Sequence, residues 1–199
     1  MRKDTSQPEL ATTCDLGTIS FAMTRDQLID RIKSLAVLFG DFTLRSGRKS
    51  TYYIDKYRFT TDHEALAALG RLLAEHVTPD IDRIAGAELG GVPLAAACAM
   101  AAKKPFVIVR NAKKDYGTAK QVEGLLNKGD RVLLVEDILT TGGQVLEAAK
   151  ALQSLEVKVV KIVACIDRLE GARKNITDAG LDVAALFTTA DLGLIDGPH

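Results

Sequence analysis

The sequence predicts an α/β protein built on a doubly wound, mainly parallel sheet of five strands flanked by helices. First, short runs rich in valine and isoleucine recur at about 83–87, 105–109, 131–136, 157–166 and 183–187, each of strand length. Second, helical patterns at about 92–102, 143–155 and 171–180 fall between them. Parallel neighbours need a crossover long enough for a helix, so this alternation predicts parallel pairing. Third, the run Val132-Leu-Leu-Val135 is apolar throughout, as in a strand covered on both faces.

The elements follow in order. Residues 1–22 lack periodicity and are expected to form a flexible extension. A helix is predicted from Thr24, with Gln27 in capping-box spacing and Leu28, Ile32, Leu35 and Leu38 on one face. Gly40 to Phe59 is mixed and aromatic, with a strand-like Thr51-Tyr52-Tyr53-Ile54. Thr61 and Glu64 repeat the capping spacing ahead of Leu66, Leu69, Leu72, Leu73 and Val77, predicting a second helix. The expected organisation is one domain over 23–199, with a small N-terminal part at about 23–60 and a core at about 61–195. Residues 111–128 break the rhythm, because they join two strands with almost no apolar periodicity and four lysines. A connection of that length suits a functional lid.

Bulk properties narrow the classes. The 199 residues are 47% hydrophobic and 26% charged, with zero formal net charge. That balance is globular and offers nothing to draw the chain to nucleic acid or an anionic membrane. Cys14, Cys98 and Cys165 are odd in number and lack metal-ligand spacing. The longest apolar run, Val92 to Ala102, is too short to span a bilayer, and the polar opening residues do not resemble a secretory leader. A reducing cytoplasm is the expected location. His63, His76 and His199 are scattered and form no metal set.

The chemistry concentrates where Val132-Leu-Leu-Val135 runs into Glu136-Asp137, then Thr140-Thr141-Gly142-Gly143, then the helical pattern from Gln144. Such a turn aims backbone N–H groups and two hydroxyls at an anion on the positive end of a helix. The acids sit where open α/β sheets place ligands. A ligand with a phosphate and hydroxyls, or a metal, is indicated. The absence of Lys-Ser/Thr after the glycines excludes a P-loop, and no Gly-x-Gly-x-x-Gly is present. Glu88-Leu89-Gly90-Gly91-Val92-Pro93 supplies a second glycine loop between a strand and a helix.

The segment 132–144 resembles the phosphoribosyl-pyrophosphate (PRPP) motif of type I phosphoribosyltransferases. The resemblance implies that fold, with Glu136 and Asp137 on the ribose hydroxyls and Thr140, Thr141, Gly142, Gly143 and Gln144 on the 5′-phosphate. The 88–93 loop would then meet pyrophosphate. Arg110-Asn-Ala-Lys113-Lys114-Asp115-Tyr116-Gly117 resembles the mobile catalytic loop of orotate phosphoribosyltransferases. It implies Lys114 and Asp115 as catalytic residues, with Arg110, Lys113 and Tyr116 also on PRPP. Gly40 to Asp55 resembles that family's N-terminal signature, and Asp167-Arg168-Leu-Glu170-Gly171 its late Asp-Arg-x-Glu-Gly element. On this basis Arg45, Tyr52, Tyr53, Thr140 and Arg168 would contact orotate.

The resemblance further implies Mg²⁺ bound through PRPP rather than directly by side chains, with Glu136 or Asp137 reaching it through water. It also implies a homodimer whose loop 111–128 serves the partner's site. Two positions depart from the family pattern: Asn111 stands where a second loop lysine is common, and Gly90 where the pyrophosphate loop often has lysine. The competing readings are a phosphoribosyltransferase for another base and a non-catalytic PRPP-sensing regulator.

Overall fold

The structure, a computed structural model, describes residues 23–43, 47, 49–111 and 121–194. Arg45, Lys113, Lys114, Asp115 and Tyr116, the 1–22 extension and residues 112–120 of the 111–128 loop therefore lie outside the described residues.

Helix α1 (Arg25–Ala36) opens with the expected capping box. The Thr24 hydroxyl accepts from the Gln27 amide, and the Gln27 side chain accepts from the Thr24 amide. The helix stops at Ala36, two residues short of the predicted stripe. Val37 and Leu38 instead begin β1 (Val37–Thr43), which pairs antiparallel with β2 (Lys49–Ile54) through Val37–Ile54 and Leu38–Tyr53. Cross-strand pairing outweighs helical spacing for a β-branched residue at a helix end. After the short α2 (Lys56–Thr60) comes α3 (His63–Ala74). Its cap is Asp62 rather than Thr61. The Asp62 carboxylate accepts from the Ala65 amide at 2.9 Å, whereas the Thr61 hydroxyl donates back to the Tyr57 carbonyl. An aspartate in capping geometry also favours the positive helix end by charge.

The remaining elements are β3 (Arg83–Ala87), α4 (Gly91–Ala102), β4 (Phe106–Val109), β5 (Val122–Glu123), β6 (Arg131–Leu139), α5 (Gly143–Gln153), β7 (Lys158–Asp167), α6 (Ala172–Asp178) and β8 (Val183–Thr188). Their sheet has the order β5-β4-β3-β6-β7-β8. The five predicted strands are all present and mutually parallel. A sixth, the two-residue β5, adds antiparallel at the edge beside β4. It escapes the sequence reading because two residues inside a polar connection carry no periodic signal.

The chain leaves β3 toward β4 on one side, then returns to build β6, β7 and β8 on the other. The order thus reverses between β3 and β6, where such sheets open a crevice at their carboxyl ends. Alternate strand residues feed two cores. Ile84, Leu133 and Val163 join Leu28, Ile32, Leu69 and Leu94 on one face; Ala85, Leu134 and Ala164 join Val145, Leu152 and Ile176 on the other. Each large aliphatic side chain so buried contributes about 1.5–3 kcal/mol. This double cover fixes the strand ends, and hence the loops that follow them, rigidly with respect to one another. Cys98 and Cys165 are free and buried, as small hydrophobes would be.

Candidate active site

Four segments converge on the carboxyl edge of the sheet around the β3/β6 switch: residues 88–91 after β3, 110–111 after β4, 136–144 ending β6, and 167–171 ending β7. The acid pair lies inside β6, which runs three residues beyond its predicted end, with Glu136 opposite Ala164 of β7. Pairing on the sheet therefore holds the acids, and both are almost wholly buried.

Adjacent buried carboxyl groups are costly as a charged pair. Burial, and next the neighbouring Asp137 charge, push the Glu136 carboxyl well above the usual carboxylate range. Its Oε1 accepts from the Asp137 amide at 2.9 Å, while its buried Oε2 has no hydrogen-bond partner among the described residues. Asp137 is anchored at both oxygens. Oδ1 accepts from the Ile138 amide at 2.5 Å, and Oδ2 meets the Lys56 ammonium at 2.9 Å. Partial burial opposes the Lys56 charge, but the Asp137 hydrogen bond and the charges of Asp137 and Glu136 outweigh it and raise its pKa. Lys56 is a site residue that sequence reasoning missed. It directly follows the aromatic signature, but nothing in its spacing reveals that α2 swings it onto β6.

The 88–91 loop packs against the same carboxylate. Its Glu88–Leu89 peptide is cis. A Cβ on Gly90 would stand 1.7 Å from Asp137 Oδ2, and one on Gly91 would stand 2.7 Å from the Val135 carbonyl oxygen. The missing lysine at position 90 thus has a local cause: the space belongs to Asp137. Glu88 joins this loop to the end of β4. Its carboxylate accepts from the Asn111 amide at 3.3 Å and lies 4.0 Å from Arg110 Nε. Gln144 donates to both the Glu88 carbonyl and the Asn111 side-chain oxygen, at 3.3 and 3.0 Å. Asn111, the other departure from the family pattern, therefore ties the start of the 111–128 connection to the first turn of α5. The connection is also tied back at Gln121, just before β5, whose carbonyl accepts from the Arg110 amide at 2.9 Å.

The Thr140–Gly143 loop is clamped from α6. The Thr140 carbonyl accepts from the Ala172 amide, and the Thr141 carbonyl from the Asn175 side chain at 2.9 Å. Gly142 takes the left-handed conformation at φ 82°, with Ile176 packed where a side chain would go. With the carbonyls held behind, the exposed Thr140, Thr141, Gly143 and Gln144 face outward at the amino end of α5. The unpaired N–H groups of a helix's first turn suit an anion there.

At the opposite side, Tyr52 is buried and its ring lies 5.6 Å from the Arg168 guanidinium carbon. Arg168 pairs through Nε with Glu170 at 2.9 Å, and its buried Nη2 has no hydrogen-bond partner among the described residues. A buried guanidinium N–H without a partner is expensive, so it fits a site awaiting an acceptor. The period-two geometry of β2 separates the tyrosine pair. Tyr53 faces the other way, half exposed, with its ring 5.7 Å from Phe42, and does not join Tyr52 and Arg168.

Two loops suited to anions, on either side of a buried acid pair at the switch point of a parallel sheet, define a protein that binds a phosphorylated sugar. Comparison with known proteins makes this specific. The family model described as a phosphoribosyl transferase domain matches residues 58–180. An orotate phosphoribosyltransferase of Thermococcus gammatolerans is 45% identical over 172 residues, covering 84% of this chain and 91% of its own. One from Methanocaldococcus jannaschii is 42% identical over 169 residues, covering 84% and 96%. Among solved structures, the Mycobacterium tuberculosis orotate phosphoribosyltransferase in complex with PRPP superposes with a TM-score of 0.74 at 36% identity, covering 85% of this chain and 99% of that one. The chain belongs to the phosphoribosyltransferase family, among its orotate phosphoribosyltransferases.

Proposed function

We propose that this chain transfers the 5-phosphoribosyl group of PRPP to orotate, giving orotidine 5′-phosphate and pyrophosphate in pyrimidine biosynthesis. The observation that carries this reading is the buried Glu136–Asp137 pair set between the Gly90-Gly91 loop and the Thr140–Gly143 loop, with Arg168 and Tyr52 to one side. The relatives that match 84% of this chain supply the base: they are orotate phosphoribosyltransferases.

In this reading Thr140, Thr141, Gly142, Gly143 and Gln144 hold the 5′-phosphate, and Glu136 and Asp137 hold the ribose hydroxyls. Glu136 Oε2, buried without a partner, suits a hydroxyl donor. Arg168 offers an unpaired N–H to an orotate oxygen beside Tyr52, with Arg45 and Thr140 completing the base contacts; Tyr53, turned to the other face of β2, is left out of them. Departure of pyrophosphate develops negative charge on the leaving group. Arg110, Lys113, Lys114, Asp115 and Tyr116 act at that end, where cations stabilise the transition state more than the ground state. Closure of the connection they occupy would exclude water that could otherwise hydrolyse PRPP.

Magnesium fits the donor set as a ligand-borne ion. In this reading its oxygens would come from PRPP and water, with Glu136 or Asp137 beyond the water. When bound, it would neutralise charge on the leaving pyrophosphate. A homodimer exchanging the 111–128 connection and a cytoplasmic location complete the reading, with residues of about 23–60 as a hood over the base. No described helix is long and apolar enough to cross a membrane.

The test is turnover. With PRPP and Mg²⁺, orotate absorbance should fall, while uracil, adenine and hypoxanthine stay unchanged. A faster reaction with any of those bases overturns the substrate assignment. Lys114→Ala should lose most of kcat yet still bind PRPP; unchanged turnover would remove Lys114 from the mechanism.

A further inference from the structure

We propose that Lys56 is the cation of the pyrophosphate loop, supplied from α2 because the loop itself has no room for one. The inference rests on the reading of this edge as a PRPP site. Residues 89–91 are Leu, Gly and Gly, so the loop brings no positive charge of its own. Any side chain on Gly90 would enter Asp137 Oδ2, at 1.7 Å from its first carbon. Lys56 reaches that same oxygen at 2.9 Å, so its ammonium stands close to the space a residue-90 side chain would need. Arg110, 4.0 Å from Glu88 of this loop, is carried by another element, the end of β4.

An ammonium has three donors, and the Asp137 contact uses one. The Lys56 side chain keeps 30% of its surface exposed, whereas Asp137 keeps 2%, so a ligand can reach the lysine from solvent. Lys56 therefore joins the two halves of the ligand. It fixes the carboxylate that takes a ribose hydroxyl and offers N–H groups to the adjoining diphosphate. A purely structural lysine would need only the first of these.

Two measurements test this. Lys56→Gln should raise the KM for PRPP by roughly 10- to 100-fold, the effect of losing one charge-assisted hydrogen bond. The KM for orotate should stay within about twofold by the same reasoning, since the contact is confined to PRPP, and Lys56→Arg should recover most of the loss. In the wild-type protein, amine acetylation of Lys56 followed by mass spectrometry gives an independent reading that requires no folded variant. Inorganic pyrophosphate with Mg²⁺, and PRPP with Mg²⁺, should each slow acetylation of Lys56, and orotate alone should not. Unaltered labelling with both phosphorylated ligands, or a Lys56→Gln enzyme with unchanged PRPP KM, overturns the assignment. Failure of the wild-type enzyme to consume orotate would instead refute the substrate reading, which the labelling does not depend on.

Discussion

Replacing Gly90 by alanine forces a methyl group into the place where Asp137 keeps its carboxylate. The built Cβ lies 1.7 Å from Asp137 Oδ2 and 2.7 Å from its Cγ, so either the loop or the carboxylate must move by more than an ångström. The loop cannot retreat freely, because Gly91 already packs against the Val135 carbonyl and Gly86 against Gly91. The carboxylate is the softer partner, but its movement breaks the bonds to the Ile138 amide and to Lys56. At about 1.5–3 kcal/mol for each hydrogen bond to a charged group, with partial recovery by water, the site loses roughly 2–4 kcal/mol of organisation. Because Asp137 is expected to hold the ribose, this should appear as a rise in PRPP KM of about 30- to 1000-fold at 1.4 kcal/mol per tenfold. Gly90→Lys should fare no better, although it installs the residue common elsewhere in the family. Initial rates at varied PRPP and fixed saturating orotate, with a thermal melt as control, measure both variants. A Gly90→Ala enzyme with wild-type PRPP KM would refute the claim that the Asp137 position excludes a side chain here.

Three further outcomes follow from the same contacts. Glu136→Gln should raise Tm by about 2–4 °C at neutral pH while weakening PRPP binding. The folded carboxyl sits above its unfolded value, so ionising it costs stability as pH rises through that window, and the amide removes the cost; a lower Tm at neutral pH refutes this. Asp62→Ala should destabilise the protein by roughly 2–3 kcal/mol above pH 4, combining a lost helix cap with a lost Arg31 pair. The Arg31 hydrogen bonds and the cap hold the folded Asp62 carboxyl at about 2 against burial, from 3.8, so its contribution is complete above the unfolded value and fades as pH falls through about 2; urea melts at pH 7 and pH 2 should converge between variant and wild type. Arg168→Lys should raise orotate KM by about tenfold or more with PRPP KM little changed, since an ammonium cannot reproduce the planar fork beside Tyr52; equal shifts in both constants would place Arg168 elsewhere.

What could be read from sequence follows from how local the physics is. The β6 strand, the Thr140–Gly143 turn and the α5 start are contiguous, so composition and period sufficed to place both the element and its chemistry. The capping box at Thr24 was likewise a three-residue matter. Val37 and Leu38 were misplaced on α1 because their partners, Ile54 and Tyr53, sit on another strand and leave no trace in local spacing. The Asp62 cap lost out to Thr61 for a related reason: both residues can cap, and the Arg31 ion pair from α1 favours the aspartate. Lys56 was invisible altogether, since its meaning lies in a contact with β6 that only the packing of α2 creates.

That contact also explains why the two departures from the family pattern need not mark a weakened enzyme. At position 90 the lost lysine coincides with a carboxylate filling its space and a lysine from α2 touching the same atom. At position 111 the asparagine replaces charge by connection, linking Gln144 at the start of α5 to Glu88 of the 88–91 loop. Charge at a leaving group is a property of the site rather than of any one position, because electrostatic stabilisation depends on where the cation stands when pyrophosphate departs. A chain can therefore move a cation to a different element and keep the reaction, provided the acceptor it neutralises stays fixed. Here the fixed acceptor is Asp137, held by β6 and by the Ile138 amide, and the strand that carries it is largely buried between β3 and β7.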